Sequence, residues 1–232
     1  MYKDIPHYYP FIRWDVPHLS ALAITIAVAL LLLLMGRLTG EKGSRLICRF
    51  LAILLGIEFV GEFSWRFFSD DYGPWVHNLP LHFCSFMLII AIIAMWWRKD
   101  WACGLCYFGI LSASIQGLIT PAMANGYPSI AFYVFFIAHG LLLIVGLAVP
   151  ILLKWRSSRW APLRSLLLMD LYLIGIHPIN IYLDTNYGYT RFSPVEGCLL
   201  DYLGAAPYYY LWLQLPVLGL FYLMSLFVRM RA

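Results

Sequence analysis

The sequence predicts an all-α fold: a polytopic membrane bundle of seven transmembrane helices, one membrane domain over residues 1–232. Three observations carry this expectation. Hydrophobic residues make up 62% of the chain and charged ones 12%, where soluble domains carry about 25% charged residues. Seven apolar runs approach the roughly 20 residues that a helix needs to cross about 30 Å of hydrocarbon. Lysines and arginines gather on alternate sides of those runs.

The first run, about 18–36, reads HLSALAITIAVALLLLLMG. The second, about 46–67, contains EFVGEFSWR, so Glu58, Glu62 and Arg66 recur at every fourth residue and share a helix face. An ion-pair ladder and a role in a site both fit that spacing. The third, about 78–97, is NLPLHFCSFMLIIAIIAMWW. Pro80 suits a first helical turn, which puts Cys84 about one turn inside the N-terminus, where the helix dipole favours a thiolate. His82 is two residues away, about 200° around the helix, so a base for Cys84 has to come from another span. The fourth run, about 101–120, holds CGLC. Cys103 and Cys106 lie in an apolar helix with no second pair, which reads as packing and not as a redox or metal motif.

The fifth run, about 130–153, carries His139 within FFIAHGLLL. The sixth, about 164–183, carries His177, Pro178 and Asn180. Pro178 is expected to kink it and to free the Ile174 carbonyl. The seventh, about 207–228, opens on Tyr208 to Tyr210, which reads as an interfacial belt. The longest loop, Asp184 to Ala206, has room for a short surface helix, with Asp184 and Asp201 as loop or cap residues.

Twelve lysines and arginines flank one side: Arg37, Lys42, Arg45, Arg49, Arg98, Lys99, Lys154, Arg156, Arg159, Arg164, Arg229 and Arg231. Lys3, Arg13, Arg66 and Arg191 fall on the other. The N-terminus is therefore expected outside and the C-terminus in the cytoplasm, which an odd number of spans also requires. A bacterial inner membrane suits this pattern. The net charge of +4 comes without a basic stripe, so no nucleic acid is expected. Cys48, Cys84, Cys103, Cys106 and Cys198 are scattered over apolar segments and do not form a disulfide framework. No cleavable leader is visible, no cofactor or metal is expected, and the oligomeric state is open. Lys3, Lys42, Lys99 and Lys154 all lie outside the spans, so a buried Schiff-base lysine is excluded.

Polar groups inside a membrane are costly and mark function by default. Counted at about 1.5 Å per residue from the outer ends of their helices, Glu62, His82, Cys84, Gln116, His177 and Asn180 lie roughly 5–9 Å deep and His139 about 13 Å. Such a shared level suggests an interior pocket that opens outward. A thiol beside an imidazole is the arrangement of covalent acyl transfer, and by depth His139 is the best partner for Cys84.

The segments LPLHFCSF, GLITPA, FFIAHG, TNYGY and SPVEGCLLDYLGAAPYYYL occur in this order. Together, over roughly residues 15–225, they resemble the bacterial YwaF-like integral membrane proteins and their eukaryotic relatives, the transmembrane protein 164 family. That family is described as cysteine-dependent phospholipid acyltransferases. The resemblance implies Cys84 as nucleophile and His139 as its base. The chain departs from its relatives at Ser85, where they often carry an acid, and at Gly188, where they tend to carry a bulky residue.

Two functions are expected from this. The first is a lipid acyltransferase or lipid-ester hydrolase acting through Cys84 and His139, with His82, Glu62, Gln116, His177, Asn180 and Asn186 around the substrate and Asn180 or Asn186 holding the oxyanion. The second is a transporter or lipid-binding protein that uses Glu58, Glu62, His82 and His177. Membrane lipids surround the protein in both and are the substrate in the first.

Overall fold

The computed structural model describes residues 9–68, 74–194 and 199–229, apart from the side chains of Leu199 and Asp201. Lys3, Cys198, Arg231 and the cap expected at Asp201 lie outside the described residues. Seven long helices are found among those residues: α1 Val16–Leu38, α2 Gly40–Phe68, α3 Phe83–Trp97, α4 Asp100–Ile119, α5 Ile130–Ile151, α6 Ala161–Leu183 and α7 Tyr209–Leu226. Five of them, α1 and α4 to α7, are long and apolar enough to cross a membrane. The other two, α2 and α3, differ from expectation in opposite ways.

The second helix runs for 29 residues and begins at Gly40, so Lys42, Arg45 and Arg49 lie on the helix and not in a loop before it. The third has only 15 residues. Pro80 stands before it and not in its first turn, because the approach from Pro74 to His82 is held in a 3-10 turn (Trp75–His77) and a run of bends closed by the Leu81 amide on the Leu79 carbonyl (2.8 Å). Cys84 is therefore the second residue of α3.

Two layers can be told apart by burial. The most apolar stretches of α4 and α5 are 61% and 56% buried, against 22%, 17% and 17% for α1, α6 and α7. The central core gathers around Leu51, Leu55, Met87, Leu88, Leu105, Phe108 and Leu142, which come from α2 to α5. The outer faces of α1, α6 and α7 are rich in exposed leucine and isoleucine, as lipid-facing helices are. Within α4, residues Cys106–Ser114 form a π-helical stretch of nine residues, a wider winding that tends to occur near functional sites.

The first helix is anchored at its start. Asp15 caps it by accepting from the His18 amide (2.9 Å). His18 is itself wholly buried: its Nδ1 accepts from the Trp14 amide (3.0 Å) and its Nε2 donates to the Leu118 carbonyl at the end of α4 (2.9 Å). With both ring nitrogens used, His18 ties two helices together.

Candidate functional site

The approach to α3 is fixed by residues far away in sequence. The Tyr187 hydroxyl donates to the Val76 carbonyl (2.5 Å) and accepts from the Leu79 amide (3.0 Å). The Tyr172 hydroxyl, from α6, donates to the Leu81 carbonyl (2.7 Å). His82 follows as the N-cap residue of α3, its ring edge-on to Tyr187 at 4.9 Å and 5.8 Å from Tyr189. Cys84 then enters the first turn half-buried, with both the amide and the hydroxyl of Ser85 at its sulfur. The first amides of a helix have no intrahelical acceptor, so donors and the positive end of the helix dipole surround this thiol.

His139 reaches the same region from α5. Its Nδ1 donates to the Phe135 carbonyl (2.9 Å), and its ring stacks on Phe135 at 4.1 Å. That bond leaves the Nε2 lone pair as the free basic position of the neutral imidazole. Gly117 of α4 permits this placement, since a Cβ there would collide with Cδ2 and Nε2 of His139.

Arg66 links the members of the site. It is ion-paired with Glu62 one turn away. It also lies within electrostatic reach of Glu58, His82, Cys84, His139, Tyr187 and Tyr189. Glu62 reaches Cys84 in the same way, and Cys84 reaches Tyr172 and Tyr189. Glu58, one turn below Glu62, buries both carboxyl oxygens without a hydrogen bond. Burial pushes the Tyr189 phenol up to about 12 and raises Tyr187 as well, so both stay protonated at neutral pH.

Other expected site residues point elsewhere. Gln116 is exposed, although its neighbour Gly117 touches His139. Asn180 is fully buried, with its hydrogen-bonding capacity used up: Nδ2 donates to the Tyr187 carbonyl (2.7 Å) and Thr190 Oγ1 (2.8 Å), while Oδ1 accepts from Thr185 Oγ1 (2.9 Å) and the Tyr187 amide (2.8 Å). The expectation that it holds an oxyanion is corrected on that ground. Asn186 turns into its own loop, donating to the Phe192 carbonyl and accepting from the Arg191 amide. His177 pairs through Nδ1 with the Thr190 hydroxyl (3.1 Å). Together TNYGY and α6 form a clamp, and the clamp positions Tyr187.

The tyrosine belt expected at the start of α7 is also corrected. Tyr208 is exposed, but Tyr209 is 1% exposed and donates to the Tyr189 carbonyl. Tyr210 donates to the Gly188 carbonyl (2.5 Å). Gly188 adopts φ +61°, and a Cβ there would meet the Tyr172 hydroxyl at 3.0 Å, so this chain requires glycine at that place. Midway along α6, Asp170 accepts from Gln214 (2.9 Å) and joins α6 to α7. Cys103 and Cys106 are packed in the core.

Sequence reasoning missed Asn78, Tyr172 and Tyr187 as organisers of the site. Asn78 did have a visible signal, as the polar residue that opens the segment leading to Cys84.

The model of the TMEM164 family matches residues 13–225. No curated protein and no solved structure matches the chain. The family match extends over most of the 232 residues, and the chain belongs to the TMEM164 family of membrane proteins.

Proposed function

We propose that this TMEM164-family member is a lipid acyltransferase with Cys84 as nucleophile and His139 as general base. The observation that carries the reading is the setting of Cys84: a half-buried thiol on the second residue of a helix, with the Ser85 amide and hydroxyl at its sulfur. Those donors are placed to stabilise charge that develops on the sulfur as it reacts. His139 complements it, since its Nδ1 is committed to Phe135 and its Nε2 is left to move protons.

In the first half-reaction, Nε2 takes the proton from Sγ and the sulfur attacks a lipid ester carbonyl. The oxyanion that forms is met by amides of the first turn of α3. The C–O bond breaks, the departing alkoxide takes the proton from Nε2, and a thioester remains on Cys84. In the second, the acceptor hydroxyl gives its proton to Nε2 and attacks the thioester, and the departing thiolate takes that proton back from Nε2. Water in place of that hydroxyl gives hydrolysis. His82 and Glu62 line the approach, and the polar level lies in the outer half of the bilayer.

The test is lipid turnover by the purified full-length protein and its Cys84→Ala and His139→Ala variants, alongside labelling by a thiol-reactive acyl probe. Loss of turnover in both, with labelling lost in Cys84→Ala, is expected. Wild-type turnover in both variants would refute the mechanism.

A further inference from the structure

The last residue of TNYGY, Tyr189, stands apart from the tyrosines around it. Tyr172, Tyr187, Tyr209 and Tyr210 each give the hydroxyl hydrogen to a backbone carbonyl, on Leu81, Val76, Tyr189 and Gly188 in turn. For the Tyr189 hydroxyl no hydrogen bond is found among the described residues. Its backbone is also unusual. Tyr189 adopts φ +57°, directly after Gly188 at +61°. Left-handed backbone is uncommon for a bulky residue, and it persists where surrounding contacts over-determine it, often at functional sites. Here they do so. The carbonyls of Tyr187, Gly188 and Tyr189 are held by Asn180, Tyr210 and Tyr209, and the Tyr189 amide donates to the Asn186 carbonyl (3.1 Å). What this fixed turn presents is the Tyr189 phenol.

The phenol lies among the reacting groups. Its ring is half-buried, 5.8 Å from the ring of His82 at the N-cap of α3. Tyr189 and Tyr172 are both within electrostatic reach of Cys84. Tyr172 gives its hydrogen to Leu81, so Tyr189 is the phenol with a hydrogen left to donate.

We propose that Tyr189 is a catalytic oxyanion donor, its hydroxyl hydrogen-bonding the carbonyl oxygen of the lipid ester while Cys84 Sγ is bonded to the carbonyl carbon. It does from a separate loop what the first-turn amides of α3 do from the helix. It takes the role that Asn180, with its amide used up, does not fill. This role rests on the acyl-transfer reading. As the S–C bond forms, the π pair of the carbonyl moves onto oxygen, and the hydrogen bond from Tyr189 strengthens. As the intermediate collapses, that pair re-forms the C=O bond, the C–O bond to the lipid alcohol breaks, and the alkoxide takes the proton from Nε2. Tyr189 keeps its own proton throughout.

The experiment compares two reactions of Cys84 in the full-length protein and its Tyr189→Phe variant. Acylation by para-nitrophenyl octanoate passes through an oxyanion, and alkylation by iodoacetamide does not. Tyr189→Phe is expected to slow acylation about 10²- to 10³-fold, the usual loss with one oxyanion donor. Alkylation and melting temperature are expected to stay as in the wild type, because the ring remains and the lost hydroxyl held nothing. Acylation of Tyr189→Phe at the wild-type rate overturns the role of Tyr189 and leaves the acyl-transfer reading standing. An equal fall in acylation and alkylation does the same, because it marks a residue that only places the thiol. A clearly lower melting temperature also overturns the role, because it marks the hydroxyl as structural. A wild-type protein that forms no thioester on Cys84, read by mass spectrometry of its peptides, overturns the acyl-transfer reading and this role with it.

Discussion

The four cysteines described in the structure divide between two ends of one bundle, and the ends are built on different principles. Cys48, Cys103 and Cys106 are 1%, 2% and 0% exposed and belong to the packed core. Close by, the Trp155 indole donates to Asp100 (2.9 Å) and the Tyr107 hydroxyl to the Met224 carbonyl (3.0 Å), polar ties beside that apolar packing. The end that holds Cys84 has the reverse character. Its segments are joined by hydroxyls and amides that reach across the chain, from Tyr172, Tyr187 and Asn180. The same side chain is inert filling at one end and, in the proposed function, a nucleophile at the other. Surroundings decide which, because a thiol in apolar packing meets only hydrocarbon while one in the first turn of a helix has amide donors beside it.

The contrast can be broken most sharply through chemistry. Cys84→Ala is expected to lower lipid turnover about 10²- to 10⁴-fold, the range that a removed acid–base or nucleophilic partner commonly costs. Cys103→Ala should leave turnover unchanged once folded protein is matched, and an equal loss in both variants would erase the distinction. Next in size is the polar clamp. Asn180→Ala leaves several buried groups without partners, at about 3 kcal/mol or more, read as a lower melting temperature of the detergent-solubilised protein. Gly188→Ala forces a side chain into φ +61° against the Tyr172 hydroxyl. A loss of about 1–2 kcal/mol in the same measurement is expected. Smallest is Gln116→Ala: its exposed side chain leaves both stability and turnover as they were, and a clear loss of turnover would bring Gln116 back into the site.

The helices were largely legible, because about 20 apolar residues in a row have few other fates in a chain this hydrophobic. The start of α3 was not. Pro80 is acceptable in a first turn, and what keeps it out is a pair of tyrosine hydroxyls 91 and 108 residues away along the chain, on Leu81 and Leu79. Pairings at that separation leave no periodic trace. Depth along a helix could also be counted, and Glu62, His82, Cys84 and His139 do gather within a common electrostatic field around Arg66. Direction around the helix could not. Gln116 follows a π-helical stretch that breaks the usual angular count, so the residue that faces His139 is Gly117. Asn180 has the expected depth, but a loop folded back on α6 takes up its amide.

That π-helical stretch in α4 also makes the bundle sensitive to length. Each residue in an ordinary helix advances the winding by about 100°. Deleting one residue between Cys106 and Ser114 would let the wide turns tighten and rotate everything beyond them, carrying Gly117 off the imidazole face and swinging a bulkier neighbour into it. In the proposed function the segment acts as a phasing spacer, and single-residue insertions or deletions there are expected to abolish turnover without removing any residue of the proposed site.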